Sequence, residues 1–259
     1  MREEEYEVLY RMEDEHWWYL GHRSLYARLL DRHCPRAARG RVLDAGCGTG
    51  GLTAWLRDRY RPRRLVALDA SRAALARCGE RGLEELLCCS VEYLPFPEAS
   101  FDLVLSLNVI YHRDVSDDLA ALREMARVLS PGGYLLLNLP ALPCLRGGHD
   151  LAVGGARRYK RSRFLEMLAA AGLRPVKVTY FVFTPLPAVA SRRLLTRGVP
   201  EEEAASDLRL PPRILNRALT RLLELEARAA CGPGLPLGSS LTALARRPAS
   251  PGLEGVSRG

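Results

Sequence analysis

One stretch constrains the chain more than any other: Val42-Leu43-Asp44-Ala45-Gly46-Cys47-Gly48-Thr49-Gly50. A short apolar run that breaks into alternating glycines reads as a strand entering a tight turn, and the residues behind it, to about Tyr60, read as a helix. Glycine lets a backbone approach a ligand closely, and the start of a helix presents unpaired N–H groups toward it. Gly46, Gly48 and Gly51 also satisfy the G-x-G-x-x-G spacing of dinucleotide sites, so the glycines alone do not choose the ligand. The carboxylates narrow the choice. Asp44, two positions ahead of the first glycine, would repel a pyrophosphate and suits a ligand bearing an ammonium group and a sulfonium centre. Asp69, at the end of the next strand, stands where a ribose diol would be held. An adenosine with a cationic tail fits both.

The rest of the chain repeats the opening pattern. Apolar runs at 41–45, 65–68, 86–89, 101–107 and 134–138 read as strands, and the segments 71–78 and 116–129 between them read as helices. Strands alternating with helices predict a parallel sheet covered on both faces. Residues 6–33 read as one or two helices ahead of this unit, with the aromatic cluster Trp17-Trp18-Tyr19 among them. Past Pro140 the pattern loosens into the glycine-rich segment 146–156, followed by a helix at 161–171 and a strand at 173–183. The stretch 185–233 is helical and outside the alternation. Its Leu215, Leu219, Leu222, Leu223 and Leu225, interleaved with Arg and Glu, make an amphipathic helix that either packs on its own domain or lies on a membrane surface. A last strand is expected at 239–245, and the Gly/Ser/Pro-rich tail from 248 reads as disordered.

At 259 residues, with 47% hydrophobic and 26% charged, one globular α/β core is the default. The net charge of +8 would suit an acidic partner, but Lys160 and Lys177 are the only lysines and the arginines are spread along the chain, as on a solvated basic surface. Seven cysteines, at 34, 47, 78, 88, 89, 144 and 231, follow neither zinc spacing nor a small disulfide framework, which argues for reduced thiols and no metal. Met1 to Glu15 is acidic and polar, unlike a signal peptide, and no apolar run reaches the roughly 18 residues of a membrane span. The expected location is the cytoplasm.

Taken with Leu94-Pro95-Phe96, Ser100-Phe101-Asp102-Leu103-Val104 and Leu129-Ser130-Pro131-Gly132-Gly133, all in this order, the glycine segment resembles the class I S-adenosylmethionine-dependent methyltransferases, in particular the large bacterial group with a D-x-G-C-G-x-G motif and an L-P-F loop. The resemblance covers about residues 14–247. It implies a Rossmann-like, seven-stranded, mostly parallel sheet as a core at 41–183 and 236–247. Around that core it implies an N-terminal helical cap at 1–40 and a helical insertion at 184–235, ahead of an antiparallel last strand. It further implies S-adenosylmethionine as cofactor and S-adenosylhomocysteine as product. Asp44, Gly46, Cys47, Gly48 and Gly50 would lie along its methionine portion, Asp69 would take the ribose hydroxyls, and Ala70 would pack on the adenine. Ser90, with Val91 beside it, stands where the family usually has an Asp for the adenine amino group. Asn108 would face the cofactor near its sulfur. Trp18 and His22, in the aromatic and basic entry segment, would meet the sulfonium and the methionine carboxylate, His22 in place of an expected arginine.

In-line methyl transfer needs alignment above all, and a hydroxyl acceptor also needs a base. His112 and His149 are the candidate bases, the second with Asp150 as its orienting neighbour, and Tyr159 is a candidate pocket residue for an anionic acceptor. The apolar insertion favours a small-molecule or lipid-like acceptor, with peripheral membrane contact as a further possibility. Against a nucleic-acid partner, Ser106-Leu107-Asn108-Val109 lacks the Asp/Asn-Pro-Pro-aromatic turn of amino-methylating enzymes, and Pro143-Cys144 follows the wrong strand for a cysteine nucleophile. A protein that binds the cofactor without transferring its methyl group is the remaining alternative.

Overall fold

A computed structural model describes residues 3–195 and 209–249. Seven strands form one sheet: β1 (Arg41–Ala45), β2 (Arg64–Asp69), β3 (Glu85–Cys88), β4 (Phe101–Leu107), β5 (Leu129–Pro140), β6 (Arg174–Phe181) and β7 (Ser240–Arg246). Their order across the sheet is β3-β2-β1-β4-β5-β7-β6, parallel except for β7, which runs antiparallel to both neighbours. The expected sheet, with its antiparallel last strand, is the one observed. β1 and β4 lie side by side although two strands separate them in sequence. The chain therefore winds outward from β1 in one direction and from β4 in the other, which opens a crevice at their carboxyl ends.

Burial on both faces explains why these strands read as near-continuous apolar runs. Leu43, Val104 and Leu135 face one layer, with α5 (Asp118–Val128) and α7 (Arg161–Ala170) packed over it. Val42, Leu103, Leu105, Leu136 and Leu244 face the other. That second layer is covered by α2 (Trp17–His33), α3 (Gly51–Tyr60) and α9 (Arg213–Cys231), which contribute Leu25, Leu29, Leu56, Leu223 and Ala227. Each such aliphatic side chain contributes about 1.5–3 kcal/mol on burial.

The helical stretch at 6–33 resolves into two helices, α1 (Glu3–Met12) and α2, and α4 (Arg72–Glu80) precedes β3. The glycine-rich segment carries a short helix, α6 (Gly148–Ala152), where a loop was expected. Between β6 and β7 lie α8 (Leu186–Leu195) and α9. The expected disordered tail falls outside the described residues from position 250 onward, as does the acidic run Glu201 to Glu203. Among the described residues no helix is long and apolar enough to cross a membrane.

Candidate cofactor site

The bend between β1 and α3 sits at the mouth of the crevice. Gly46, Gly48 and Gly50 take φ of 92°, 55° and 81°, a region that side chains resist. Gly46 is fixed by proximity as well: a Cβ there would lie 2.3 Å from Cγ2 of Val109, on the turn that follows β4. The N–H groups of Gly46 and Cys47 both donate to the Leu68 carbonyl, at 2.8 and 2.9 Å, and so hold the bend against β2. Cys47 itself turns inward, its thiol 3.7 Å from that of Cys78.

Asp44 is buried at the tip of β1, where Oδ2 accepts the Thr53 hydroxyl at 2.5 Å. Burial pushes its carboxyl up to about 7; the Thr53 hydrogen bond opposes the rise, and the charges of Asp69 and Glu13 add to it. At the tip of β2, Asp69 accepts the Gly48 N–H on Oδ2 and the Ser71 N–H on Oδ1, each at 2.9 Å. Its carboxyl is also raised by burial, against those two hydrogen bonds. Two carboxylates thus flank the glycine bend.

The helical cap closes over this bend through residues that the motif did not announce. Glu13, just past α1, is buried and accepts from the Thr49 hydroxyl at 2.6 Å and from Arg81 Nη2 at 2.9 Å. Arg81 also donates to Asp14 at 2.6 Å and to the Thr49 carbonyl at 3.0 Å, and Arg23 of α2 donates to Asp14 at 2.8 Å. Leu9 reaches 3.4 Å from where a Cβ on Gly48 would stand. Tyr6 lies beside the Ser71 side chain, its phenol pKa raised by burial and by the charge of Asp69. The half-buried Tyr19 phenol is raised by burial and by Glu13, and Tyr111 also bears on it. Thr49 and Thr53 belong to the glycine segment and were open to a closer reading. Tyr6, Glu13 and Arg81 meet only through the tertiary fold.

His22 does not present a cation to this site. It is 2% exposed, stacked 3.9 Å from Trp18 between ring centroids and edge-on to Phe181 at 4.9 Å, with Nδ1 on the Trp18 carbonyl. Burial lowers its pKa to about 4, so the ring is neutral and packs α2 against the sheet. Arg23 and Arg81 are the basic residues the structure brings to the bend.

On the other wall, Asn108 adopts φ 58° at the end of β4. Asn138 donates to its Oδ1 at 3.0 Å, and the Thr242 hydroxyl in turn donates to Asn138 at 2.6 Å. His112 follows on the same turn. Its Nδ1 is 3.1 Å from Asp114, its backbone bridges to Gly155, and Nε2 stands 2.2 Å from where a Cβ on Gly154 would be. Burial lowers the His112 pKa, while the charge of Asp114 and a hydrogen bond to the Val153 backbone raise it. His112 is close enough to Asp69 to bear on its carboxyl, and Tyr6 feels both Asp69 and Asp114.

One expected site residue is engaged differently. Tyr159 is buried in the core, its hydroxyl 2.9 Å from Asp118 Oδ2 and 3.4 Å from the Ile110 carbonyl, so it ties α5 to the turn below the crevice. The Asp150 carboxylate accepts from the Gly147 N–H, from Arg158 and from Arg193. This carboxylate therefore serves two arginines and the start of α6. Ser90 accepts the Glu92 N–H at 3.2 Å, beside a buried Val91, while Ala70 lies exposed at the end of β2.

A methyltransferase-domain family model matches residues 43–137, the segment from β1 through most of β5. Residues 43–137 thus form a methyltransferase domain of the class I S-adenosylmethionine-dependent type. A relative of this chain in Mycolicibacterium smegmatis, named "Probable S-adenosylmethionine-dependent methyltransferase", is 31% identical over 173 residues, covering 66% of this chain and 64% of the relative. Phthiotriol/phenolphthiotriol dimycocerosates methyltransferase 1 of Mycobacterium ulcerans is 32% identical over 191 residues, covering 71% and 63%. The chain thus spans just under two thirds of the length of these relatives. The crystal structure of an S-adenosylmethionine-dependent methyltransferase from Mesorhizobium loti shares the fold with a TM-score of 0.57 at 20% identity, over 86% of this chain and 95% of that one. The family's cofactor is S-adenosylmethionine. The donor set fits it, since carboxylates at two adjacent strand tips beside a glycine bend suit a cationic amino-acid tail and a ribose. Among the described residues no cluster of His, Cys, Asp or Glu could hold a metal ion.

Proposed function

We propose that the protein transfers the methyl group of S-adenosylmethionine to an oxygen of a hydrophobic, lipid-like acceptor. The cofactor supplies a methyl carbon already activated by the adjacent sulfonium. Asp44 and Asp69 orient it along the bend, with the α1 cap excluding water, and alignment supplies much of the rate. The observation that carries the acceptor reading is His112, held by Asp114 on the turn after β4 beside the Asp69 end of the site, its pKa lowered by burial. A neutral imidazole takes a proton from a hydroxyl as its oxygen attacks, which an amine acceptor would not require. The mycobacterial dimycocerosate relative supports a lipid-like acceptor, as do the apolar helices α8 and α9 between β6 and β7, which we assign as an insertion that shapes the acceptor side. His149 remains a second candidate base on α6.

The test is incubation with labelled S-adenosylmethionine and a panel of hydroxy-lipids and fatty acids, followed by mass spectrometry for an added methyl group. His112→Asn is expected to lower kcat roughly 10²–10⁴-fold while cofactor affinity stays within a factor of two or so. Methylation confined to amines, or a His112→Asn variant as fast as the parent, would remove the base from the scheme.

A further inference from the structure

The amphipathic face of α9 leaves an outward surface that the core does not use. Leu223, Glu226, Ala227 and Ala230 are buried against the molecule. On the opposite side Ile214 is 87% exposed and Leu225 57%. With about 100° per residue, Ile214, Ala218 and Leu225 fall in one narrow outward stripe, and Arg217, Arg221 and Arg228 flank it on a single side. The three arginines are exposed, and none of them is engaged in an ion pair among the described residues. Glu224 is the one acidic residue on that outward face, so the stripe carries net positive charge.

We infer that α9 docks the protein on an anionic lipid surface, with Ile214 and Leu225 entering the headgroup boundary and Arg217, Arg221 and Arg228 meeting lipid phosphates. An apolar stripe bordered by arginine is the pattern of an interfacial helix: the aliphatic side chains gain by leaving water, and each arginine gains from the negative surface. Charge complementarity selects this occupant over a second copy of the chain, whose own stripe would bring like charges together. The placement suits the fold. Asn216 accepts the Trp17 N–H at 2.9 Å and donates to the Glu15 carbonyl at 2.8 Å, which fastens the exposed end of α9 to the entry segment that carries Tyr19 toward the crevice. The inference concerns binding alone and stands whether or not the acceptor is a lipid.

The test is co-sedimentation of the full chain with sucrose-loaded vesicles, either of phosphatidylcholine alone or with phosphatidylglycerol as roughly a third of the lipid. Binding is expected to the anionic vesicles, to weaken as salt rises, and to be far weaker on the neutral ones. Ile214→Glu and Leu225→Glu are each expected to lower the partition coefficient at least about tenfold, and Arg217→Gln and Arg221→Gln about fivefold each. All four sites are exposed, so melting temperatures should be unchanged. The inference fails if the parent stays in the supernatant with anionic vesicles, or if Ile214→Glu sediments like the parent. It fails too if light scattering finds a dimer that Ile214→Glu splits.

Discussion

Asp44 sets the chemistry of the bend because the fold holds a carboxyl where water does not solvate it. Its pKa of about 7 exceeds the unfolded value, so in the empty protein the neutral form persists to neutral pH, and the stability this group contributes is fully present below about pH 4 and lost as pH rises through 7. A cationic ligand reverses the preference by favouring the ionised form. S-adenosylmethionine affinity is therefore expected to rise with pH up to about 7 and then level off, as calorimetry across that range would show. Asp44→Asn should cost roughly 1.5–3 kcal/mol of binding, about 10- to 100-fold, and flatten the pH profile. A profile unchanged in Asp44→Asn would place the titrating group elsewhere. The place of Asp44 at the tip of β1 was legible in the sequence, because its spacing from Gly46 is local. His22 was not, because its identity gives no sign that Trp18 and Phe181 enclose the ring and keep it neutral. Tyr159 has the same lesson: next to two arginines it looks like a pocket residue, and the fold turns it toward Asp118. Tyr159→Phe is accordingly expected to lower stability by about 1 kcal/mol, read from urea midpoints, with cofactor affinity unchanged.

At the scale of elements, β1, β2 and β4 are readable because both their faces are buried, which writes the strand as one apolar run. The start of β5 is harder. Ser130-Pro131-Gly132-Gly133 has turn chemistry, yet Gly132 N–H donates to the Arg247 carbonyl and Arg247 N–H to that of Gly133, both at 2.9 Å, so a partner more than 100 residues away extends the strand through it. α6 escaped notice for a related reason: glycines surround it, and the hydrogen bond from Gly147 N–H to Asp150 that stabilises its start depends on a carboxylate held by Arg158 and Arg193. The cap is anchored just as remotely. Thr49→Val removes one of the two donors on the buried Glu13 carboxylate and should loosen α1 by about 1–3 kcal/mol. Hydrogen exchange is expected to speed up in the amides of α1 while those of β1 and β4 keep their protection. Equal acceleration in all three would mean that the bond supports the sheet and not the cap.

The molecule as a whole is closed by two helices from opposite ends of the sequence. α2 precedes the first strand and α9 precedes the last, yet they pack on each other across one face of the sheet, sharing a core layer with Leu25, Leu29, Leu223 and Ala227. Gly21 permits the approach: a Cβ there would stand 2.4 Å from Leu223 Cδ1 and 2.6 Å from its Cβ. In an isolated helix alanine would be better at this position by about 1 kcal/mol, so the glycine is retained against propensity by the neighbour it faces. Because the crowding comes from one side chain, the two positions should couple. Gly21→Val is expected to destabilise by about 1–3 kcal/mol through overpacking, and Leu223→Ala by about 2–5 kcal/mol through the cavity it leaves. The double variant should fall short of their sum by at least about 1 kcal/mol, since valine at 21 fills space that alanine at 223 vacates. Urea midpoints of the four proteins measure the cycle. Strict additivity would mean that α2 and α9 do not meet at this point, and the covering of that face would then have to come from contacts nearer the helix ends.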